Sequence, residues 1–469
     1  MTTSLNEGQT KAFEALLSGQ HVFITGPGGT GKSYLMHHIF EQLPKQTGRN
    51  IALTAMTGCA ALLLHPKAKT LHSWAGVGLG REDVSLLVKN IKKSRRSALR
   101  WIQTDVLVID EVSMLTPELF EKLDQVGRKV RRNEHLPFGG LQIVFVGDFY
   151  QLPPIYKAEG PTGLKSDRPN PETIFLFESS LWKSMAPKMF ELTQIVRQKD
   201  PVFQEVLNQA RKGEMTKKSL RILVDRMGLD YKKEAVQPTM LFTRRAEVDD
   251  INMSYLRRLT EQKRIFKAST VFLPTANTAG LHESDPMIQK AIAKLDHDAP
   301  YNPELVVAKG AQVMLITNLD PESGLVNGSR GVVVDYALPD ESEFKTVTDA
   351  LKVDETLLVP VVLFRNGQTR IISHATWDIS DFQGVMRKQI PLRLAYAVTI
   401  HKAQGATLDC ALIDVGEKTF EYGQAYVALS RVRDLESLFI HDLAVTAFRA
   451  HPKVKTFYER LNPEGMFRS

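Results

Sequence analysis

A glycine-rich octapeptide, GPGGTGKS, carries the strongest chemical signal in the chain. It follows an apolar run, HVFIT, and precedes SYLMHHIFEQL, a pattern that predicts a strand, a tight loop and a helix. In such a loop the backbone N–H groups surround phosphate oxygens, a lysine reaches the β- and γ-phosphates, and a serine hydroxyl ligates Mg²⁺. The motif therefore predicts ATP and Mg²⁺ as cofactors, with contacts from Gly26, Gly28, Gly29, Thr30, Gly31, Lys32 and Ser33.

Two acidic residues, Asp110 and Glu111, end the apolar run DVLVID. A carboxylate at a strand tip beside a phosphate loop can hold the hydrated metal, and a second one can polarise the attacking water. We assign Asp110 to Mg²⁺ and Glu111 to the general base. An acid pair after a strand is also common at a helix N-cap, and the phosphate loop upstream is what favours catalysis.

Three further polar residues complete the predicted catalytic set. Gln151, in LQIVFVGDFYQLPP, can hydrogen-bond the γ-phosphate or its water, although the same letters could form a polar turn stopped by two prolines. Arg197, in ELTQIVRQ, and Arg431, in YVALSRV, could stabilise the transition-state charge from a facing domain. Either arginine taken alone is typical of a surface or ion-pair residue.

Two series of short β-branched runs are placed to carry these residues. The first lies at 21–26, 50–55, 105–110 and 141–147, and the second at 239–242, 393–399, 410–416 and 438–442. Their alternation with helical stretches predicts two α/β domains with parallel sheets. Between them, 311–374 reads as strands joined by turns, which predicts a small inserted antiparallel barrel. The polar segment 157–172 predicts a flexible surface loop.

The composition limits the class of protein. A chain of 469 residues, 43% hydrophobic and 24% charged, is typical of a globular protein with several domains. The net charge of +7 fits a nucleic-acid partner only weakly. Only Cys59 and Cys410 are present, which favours a reducing compartment: cytoplasm, nucleus or mitochondrion. We expect no membrane span and no secretory signal.

Nine motifs, in this order, resemble those of superfamily 1 helicases. The stretch LDQVGRKVRRNEHLPFGGLQIVFVGDF is similar to the signature of the PIF (petite integration frequency) family, and the resemblance covers about residues 5–460. The motifs are LNEGQTKAF with Gln9, GPGGTGKS, TAMTGCAA, TLHSWAG, VIDEVSML, VFVGDFYQLPP, LTQIVRQ, AVTIHKAQGATLDCALID and YVALSRV.

The resemblance implies an α/β protein of two RecA-like domains with a Src-homology-3-like barrel and a wedge. The first domain would span 1–64 and 81–180, and the wedge 65–80. The second domain would span 181–310 and 386–460, around a barrel at 311–385. The activity implied is an ATP-dependent DNA helicase that moves 5′-to-3′ on single-stranded DNA in replication, repair or recombination.

Residue roles follow from the same resemblance. Gln9 would read adenine and Gly405 would contact the nucleotide, while Thr57, Gly58, His72, Thr399 and His401 would contact DNA. The partners implied are single-stranded DNA, junctions and structured DNA such as G-quadruplexes, bound by a protein that is a monomer when not on DNA. The alternatives are a phosphate-loop ATPase that remodels or clamps DNA without processive unwinding, and an RNA helicase.

A further hypothesis concerns the turn PFGG, the most family-specific stretch. Pro137 stops the preceding helix, and the glycines that follow let the backbone approach a ligand. An exposed Phe138 could stack on a base, so Phe138 and Gly139 are predicted DNA contacts. The alternative is that Phe138 fills the domain core.

Overall fold

The computed structural model describes residues 5–65, 67–78, 80, 82–154, 175–231, 237–274, 278–320, 323–339, 358–379, 382 and 384–460. The loop predicted at 157–172 lies outside the described residues. The backbone forms two compact units. The first unit comprises Met1–Leu223, Gly416–Ser430 and Leu443–Ser469, and the second comprises Val224–Val415 and Arg431–Asp442.

The described strands are short, and most coincide with the β-branched runs of the sequence. They are β1 (Val22–Thr25), β2 (Ile51–Ala55), β3 (Lys69–Thr70), β4 (Val106–Asp110), β5 (Gln142–Val146), β6 (Lys188–Glu191), β7 (Thr239–Phe242), β8 (Arg264–Lys267), β9 (Ser269–Phe272), β10 (Glu304–Val307), β11 (Gln312–Leu315), β12 (Arg330–Ala337), β13 (Val359–Phe364), β14 (Thr369–Ile371), β15 (Ala375–Asp378), β16 (Val385–Gln389), β17 (Leu392–Leu394), β18 (Ala397–Thr399), β19 (Ala411–Val415) and β20 (Leu438–Leu443).

The described helices alternate with the strands of both parallel sheets. They are α1 (Glu7–Leu17), α2 (Lys32–Thr47), α3 (Gly58–Leu64), α4 (Leu71–Ala75), α5 (Val84–Lys93), α6 (Arg95–Gln103), α7 (Pro117–Arg131), α8 (Ser180–Met185), α9 (Pro201–Lys212), α10 (Lys217–Val224), α11 (Arg245–Arg258), α12 (Pro286–Asp298), α13 (Ile400–Ala403), α14 (Gln424–Leu429) and α15 (Pro452–Glu459). None of these helices is both long and apolar enough to cross a membrane.

The first unit is built on a parallel sheet with the strand order β3-β2-β4-β5-β1-β6. Every residue of β1 and β5 is buried, as expected for central parallel strands covered by helices on both faces. Parallel strands end at the same edge of a sheet. The phosphate loop after β1, the acid pair at the tip of β4 and the segment after β5 are therefore brought to one edge.

The prediction that the second domain begins at 181 is wrong. Strand β6 pairs in parallel with β1, with Ile24 opposite Phe190, so it extends the first sheet. The segments Gly416–Ser430 and Leu443–Ser469 also belong to the first unit, although the sequence assigned them to the second domain. The reason is packing: Val454 and Phe457 of α15 lie in the core of the first unit. A four-residue edge strand and a returning helix carry no local sequence signal for the domain they join.

The stretch 65–80, predicted as a wedge separate from the first domain, is integrated into the first unit. Strand β3 pairs with β2, with Ala55 opposite Thr70. On α4, Leu71 and Trp74 are buried in the same core as the strands. The apolar side chains of this segment therefore anchor it to the domain.

The second unit has its own four-stranded sheet, ordered β18-β7-β19-β20. The pairs β18–β7 and β7–β19 are parallel, with Leu241 opposite both Val398 and Ile413. This confirms the second predicted series of strands and the α/β class.

Antiparallel sheets occupy the middle of the second unit, as the turn-rich sequence predicts. A five-stranded sheet is ordered β14-β13-β12-β11-β17, and a three-stranded sheet is ordered β15-β16-β9. The β-rich part is therefore not confined to 311–385. Strand β17 closes on β11 through Leu392 and Leu315, and β9 pairs with β16 through Val271 and Met386.

Candidate active site

The phosphate loop of the first unit leads directly from β1 into α2. Gly26 has a φ of 137°, and a Cβ atom there would collide with the carbonyl oxygen of Leu192. The loop therefore passes the residue that follows β6 at a distance only glycine permits. Helix α2 begins at Lys32, after a left-handed Gly31 with a φ of 83°, so its first N–H groups face the loop.

Lys32 is held inside the loop by two carbonyl groups. Its ammonium donates to the Gly26 oxygen at 2.6 Å and to the Pro27 oxygen at 2.8 Å. Burial lowers the pKa of Lys32 to about 8, and the charges of Asp148 and Glu111 oppose this shift. A cation at this position is suited to phosphate oxygens, which would offer it a stronger acceptor than a peptide carbonyl.

The acid pair lies at the tip of β4. The backbone N–H of Glu111 donates to Asp110 Oδ1 at 2.8 Å. Burial raises the pKa of Asp110 to about 7, and the neighbouring Glu111 carboxylate adds to the shift. Glu111 is buried, and its backbone adopts the left-handed conformation, with φ 54° and ψ 43°. Such strain costs on the order of 1 kcal/mol and is typical of residues whose direction matters for function.

Gln151 follows β5 at the same edge of the sheet. Its backbone N–H donates to the Asp148 carbonyl at 2.9 Å, which fixes the turn that carries it. The side chain is buried, and its Oε1 accepts no hydrogen bond from the part of the chain that the structure describes. A buried acceptor without a donor is costly, and a bound water or ligand would satisfy it.

The residues present fit Mg²⁺ and a nucleotide. Among the described residues no group of three or more His, Cys, Asp and Glu side chains forms a metal cluster. Mg²⁺ is usually held by one or two protein oxygens and by substrate phosphates, which is the donor set that Asp110 and the exposed Ser33 offer. The orphaned oxygen of Gln151 points to a polar occupant as well.

Arg197 and Gln9 contact the phosphate loop, Arg197 through its backbone and Gln9 through its side chain. The backbone N–H of Arg197 donates to the Gly29 carbonyl at 3.1 Å, so this segment lines the loop. The Gln9 amide donates to the Gly31 carbonyl at 3.3 Å, while its oxygen accepts from the Asn6 N–H at 3.0 Å in a capping box. The structure thus brings both residues to the loop, although the sequence assigned Arg197 to the other domain.

A cluster of four side chains, which the sequence did not predict, lies behind the loop; three of them are buried and Tyr458 is half-buried, and we call it the buried cluster. Arg211 of α9 forms a two-pronged ion pair with Asp148, with Nε–Oδ2 and Nη2–Oδ1 distances of 2.9 Å. Burial disfavours its charge, but the Asp148 carboxylate overrides this and raises the pKa of Arg211 well above its usual value. Tyr426 and Tyr458 donate to the two carboxylate oxygens at 3.5 and 3.3 Å. A conspicuous Asp after β5 was the only sequence signal.

Arg431 and Gly405 belong to the second unit. The Arg431 guanidinium is buried and donates to the carbonyls of Ala403 and Ala406 at 3.3 and 3.2 Å. Gly405 lies between these acceptors with a φ of 81°. Within this unit Arg431 therefore organises the turn after α13.

Two of the predicted DNA contacts, one in each unit, are threonines at the N-terminus of a short helix. Thr57 caps α3 and Thr399 caps α13, each accepting a backbone N–H at 3.2 Å. A threonine hydroxyl that accepts at a cap keeps its own proton to donate, for instance to a phosphate. Gly58 begins α3, and His72 lies half-buried on α4. Burial lowers the pKa of His401, on α13, so its imidazole is neutral near pH 7.

The prediction that Phe138 and Gly139 contact DNA is wrong. Phe138 is completely buried, and its ring packs 5.2 Å from that of Phe120. Its N–H donates to Asp124 at 2.6 Å, and the Gly139 carbonyl accepts from Arg131 at 3.0 Å. The turn is therefore fastened to α7 and closes the core of the first unit.

The replacement Phe138→Ala should lower the melting temperature by about 10 °C, because emptying such a site costs about 3–5 kcal/mol. Thermal unfolding followed by circular dichroism measures the shift. Leu136→Ala is the matched control, since Leu136 is 52% exposed two residues away. DNA affinity per folded molecule should not change. A loss of affinity at unchanged melting temperature would contradict the core position.

Taken together, a parallel sheet with a glycine-rich loop between β1 and α2 and an acid pair at the tip of β4 defines a phosphate-loop α/β protein. Two family models match the chain, PIF1-like helicase over residues 4–221 and DNA helicase Pif1, 2B domain, over residues 292–336. The chain belongs to the family of PIF1-like helicases.

Individual relatives agree with this assignment. ATP-dependent DNA helicase PIF1 of Xenopus laevis is 36% identical over 468 residues, which cover 99% of this chain and 65% of that protein. The chain thus spans less than two thirds of this curated relative. The crystal structure of Pif1 helicase from Candida albicans is 34% identical, with a TM-score of 0.76 and coverages of 98% and 100%. Bacteroides Pif1 in complex with ADP-AlF3 and single-stranded DNA is 28% identical, with a TM-score of 0.65 and coverages of 98% and 97%.

Proposed function

We propose that this chain is an ATP-dependent DNA helicase that translocates 5′-to-3′ on single-stranded DNA and unwinds duplex or structured DNA. The observation that carries the proposal is the edge of the first sheet. There a complete phosphate loop, an acid pair and a buried glutamine follow three adjacent strands, and the glutamine oxygen accepts no hydrogen bond from the described residues. The Bacteroides relative in complex with ADP-AlF3 and single-stranded DNA supports the choice of ligands.

In the proposed active site each residue has a defined task. Lys32 neutralises the β- and γ-phosphates, and Glu111 accepts the proton of the attacking water. Gln151 orients that water, while Arg197 and Arg431 stabilise the charge that develops in the transition state. Bound Mg²⁺, held by Ser33 and Asp110, would neutralise phosphate charge. The tasks of Arg197 and Arg431 rest on the family resemblance.

Binding residues complete the proposal. Gln9 recognises adenine, and Gly28, Gly29, Thr30, Gly31 and Gly405 surround the nucleotide. Thr57, Gly58 and His72 of the first unit, with Thr399 and His401 of the second, contact the DNA backbone. The two capping threonines support this role, because a hydroxyl whose oxygen accepts a backbone N–H can also donate to a phosphate oxygen.

The remaining parts of the proposal concern partners. The segment 65–80 acts as the strand-separating wedge, and the barrel predicted at 311–385, with β17 added to it, forms the Src-homology-3-like module beside the DNA. We propose that G-quadruplexes are among the substrates and that the protein is a monomer when it is not on DNA. We also propose that it acts in a reducing compartment. Cys410 is buried and forms no disulfide with the residues that the structure describes, which supports the last point.

Strand separation on tailed duplexes tests the function. With ATP, a 5′-tailed duplex should be unwound at least about tenfold faster than a 3′-tailed or blunt duplex, because loading requires a single strand of one polarity. A non-hydrolysable ATP analogue should support binding without separation. DNA-stimulated ATP hydrolysis without strand separation would instead favour an ATPase that remodels or clamps DNA.

A further inference from the structure

One backbone N–H of the phosphate loop is already bound by a side chain of the protein. The Gly28 N–H donates to the hydroxyl oxygen of Tyr426 at 2.8 Å. Gly28 is the third residue of GPGGTGKS, a loop whose backbone N–H groups serve as donors to phosphate oxygens. The phenol oxygen therefore occupies a donor that a phosphate group would use.

The Tyr426 oxygen is the acceptor in this hydrogen bond, because a backbone N–H can only donate. The side chain is 2% exposed on α14, and its hydroxyl donates to Asp148 Oδ2 over an O–O distance of 3.5 Å. A phenol has a single proton, so the same oxygen remains an acceptor toward Gly28. The Asp148 carboxylate is in turn held by Arg211 at 2.9 Å on both oxygens. Tyr426 thus links the loop to the buried cluster behind it.

We propose that Tyr426 is a positioning residue whose hydroxyl competes with the nucleotide phosphates for the Gly28 N–H. This inference rests on the proposal that the loop binds ATP. Nucleotide binding then requires the Gly28 N–H to pass from the phenol oxygen to a phosphate oxygen. The hydrogen bond to Tyr426 weakens nucleotide affinity and ties it to the position of α14.

A second tyrosine in the same cluster provides the comparison. The Tyr458 hydroxyl lies 2.6 Å from Thr25 Oγ1 and accepts the Phe149 N–H at 3.1 Å. It donates to Asp148 as Tyr426 does, at 3.3 Å. Among the described residues the Tyr458 hydroxyl contacts Thr25, Phe149 and Asp148 and no N–H of the phosphate loop. Tyr458→Phe therefore removes an equivalent hydroxyl without freeing the Gly28 donor.

The test compares Tyr426→Phe with Tyr458→Phe. Dissociation constants for Mg–ADP and for pyrophosphate are measured by isothermal titration calorimetry, and KM and kcat for ATP by steady-state kinetics. In Tyr426→Phe both ligands should bind about fivefold more tightly and KM should fall by a similar factor, the size of one net hydrogen bond. In Tyr458→Phe these values should stay within about twofold of the parent. If both hydroxyl groups only stabilised the structure, nucleotide binding would be weaker in both variants.

Two further measurements keep the outcomes separate. Tyr426→Met also lacks the hydroxyl and fills much of the space of the ring, so it should lower KM as well. It replaces Tyr426→Phe in the test if that variant does not fold. Unchanged or weaker binding in both Tyr426 variants would overturn the competition. Lys32→Ala reports on the site itself: if it binds Mg–ADP like the parent, the proposed ATP site fails. If Lys32→Ala loses binding while the Tyr426 variants match the parent, only the role of Tyr426 fails.

Discussion

Replacing Lys32 by alanine is expected to lower ATP hydrolysis by at least about 100-fold, equivalent to about 2.7 kcal/mol of transition-state stabilisation. Strand separation should be lost with it. The physical reason is that Lys32, at the start of α2, places its ammonium group inside the phosphate loop. Alanine leaves the β- and γ-phosphate charge without its partner. Phosphate release measured with saturating single-stranded DNA gives the rate.

Lys45→Ala is the control for this experiment. Lys45 lies on the same helix but is exposed, so its removal should leave hydrolysis near the parent value. Melting temperatures of both variants separate loss of chemistry from loss of folding. A Lys32→Ala protein that turns over ATP within threefold of the parent would refute the assignment of the phosphate loop.

The replacement Glu111→Gln is expected to keep nucleotide binding and to reduce hydrolysis by about 10²- to 10⁴-fold, the usual contribution of a general base. An amide has the shape of the carboxylate but cannot accept the proton of the attacking water. The left-handed backbone at Glu111, with a φ of 54°, should be as accessible to glutamine as to glutamate. Binding of a fluorescent ATP analogue and single-turnover hydrolysis measure the two effects separately.

Glu118→Gln makes the same chemical change on the exposed face of α7. Glu118 forms an ion pair with Lys122 at 3.0 Å on the helix surface, so hydrolysis in this variant should match the parent. If Glu111→Gln neither binds the analogue nor melts at the parental temperature, Glu111 has a structural role and is not the base.

The phosphate loop and the two parallel sheets could be predicted because their signals are local. GPGGTGKS encodes its own turn, and runs such as HVFIT and QIVFV encode buried strands without reference to distant residues. The left-handed conformations at Gly29 and Gly31 follow directly from the glycines of the motif. The identity of the nucleotide site is therefore contained in a few consecutive residues.

The position of Phe138 was predicted wrongly because it depends on contacts with a distant segment of the chain. Pro137 and the glycines at 139 and 140 correctly predict a tight turn, but a turn can face solvent or lie against a helix. The choice depends on the notch at Gly127 of α7, where an added Cβ would lie 2.8 Å from the Phe138 carbonyl oxygen. The close fit between Gly127 and the Phe138 turn involves two segments whose sequence patterns are interpreted separately.

The buried cluster was missed because its members are distant in sequence. Asp148 meets Arg211 across 63 positions, Tyr426 across 278 and Tyr458 across 310. The segment around each of these partners gives no sign of the cluster. From sequence alone, an arginine on α9 is expected to be a solvated charge, and a tyrosine on a helix is expected to be an ordinary packing residue. Only the folded chain assembles the ion pair and its two phenols.

The return of α15 to the first unit also bears on the order in which the protein folds. The ring centre of Phe457 lies 4.3 Å from that of Phe177 and 5.4 Å from that of Phe149, and both partners precede Phe457 by 280 residues or more. Contacts of such long sequence separation form slowly, because a large loop must close first. During synthesis the core around these aromatic rings therefore stays incomplete until residue 457 has been added. The nascent first unit would in that interval expose apolar surface, which is a substrate for chaperones and a risk for aggregation.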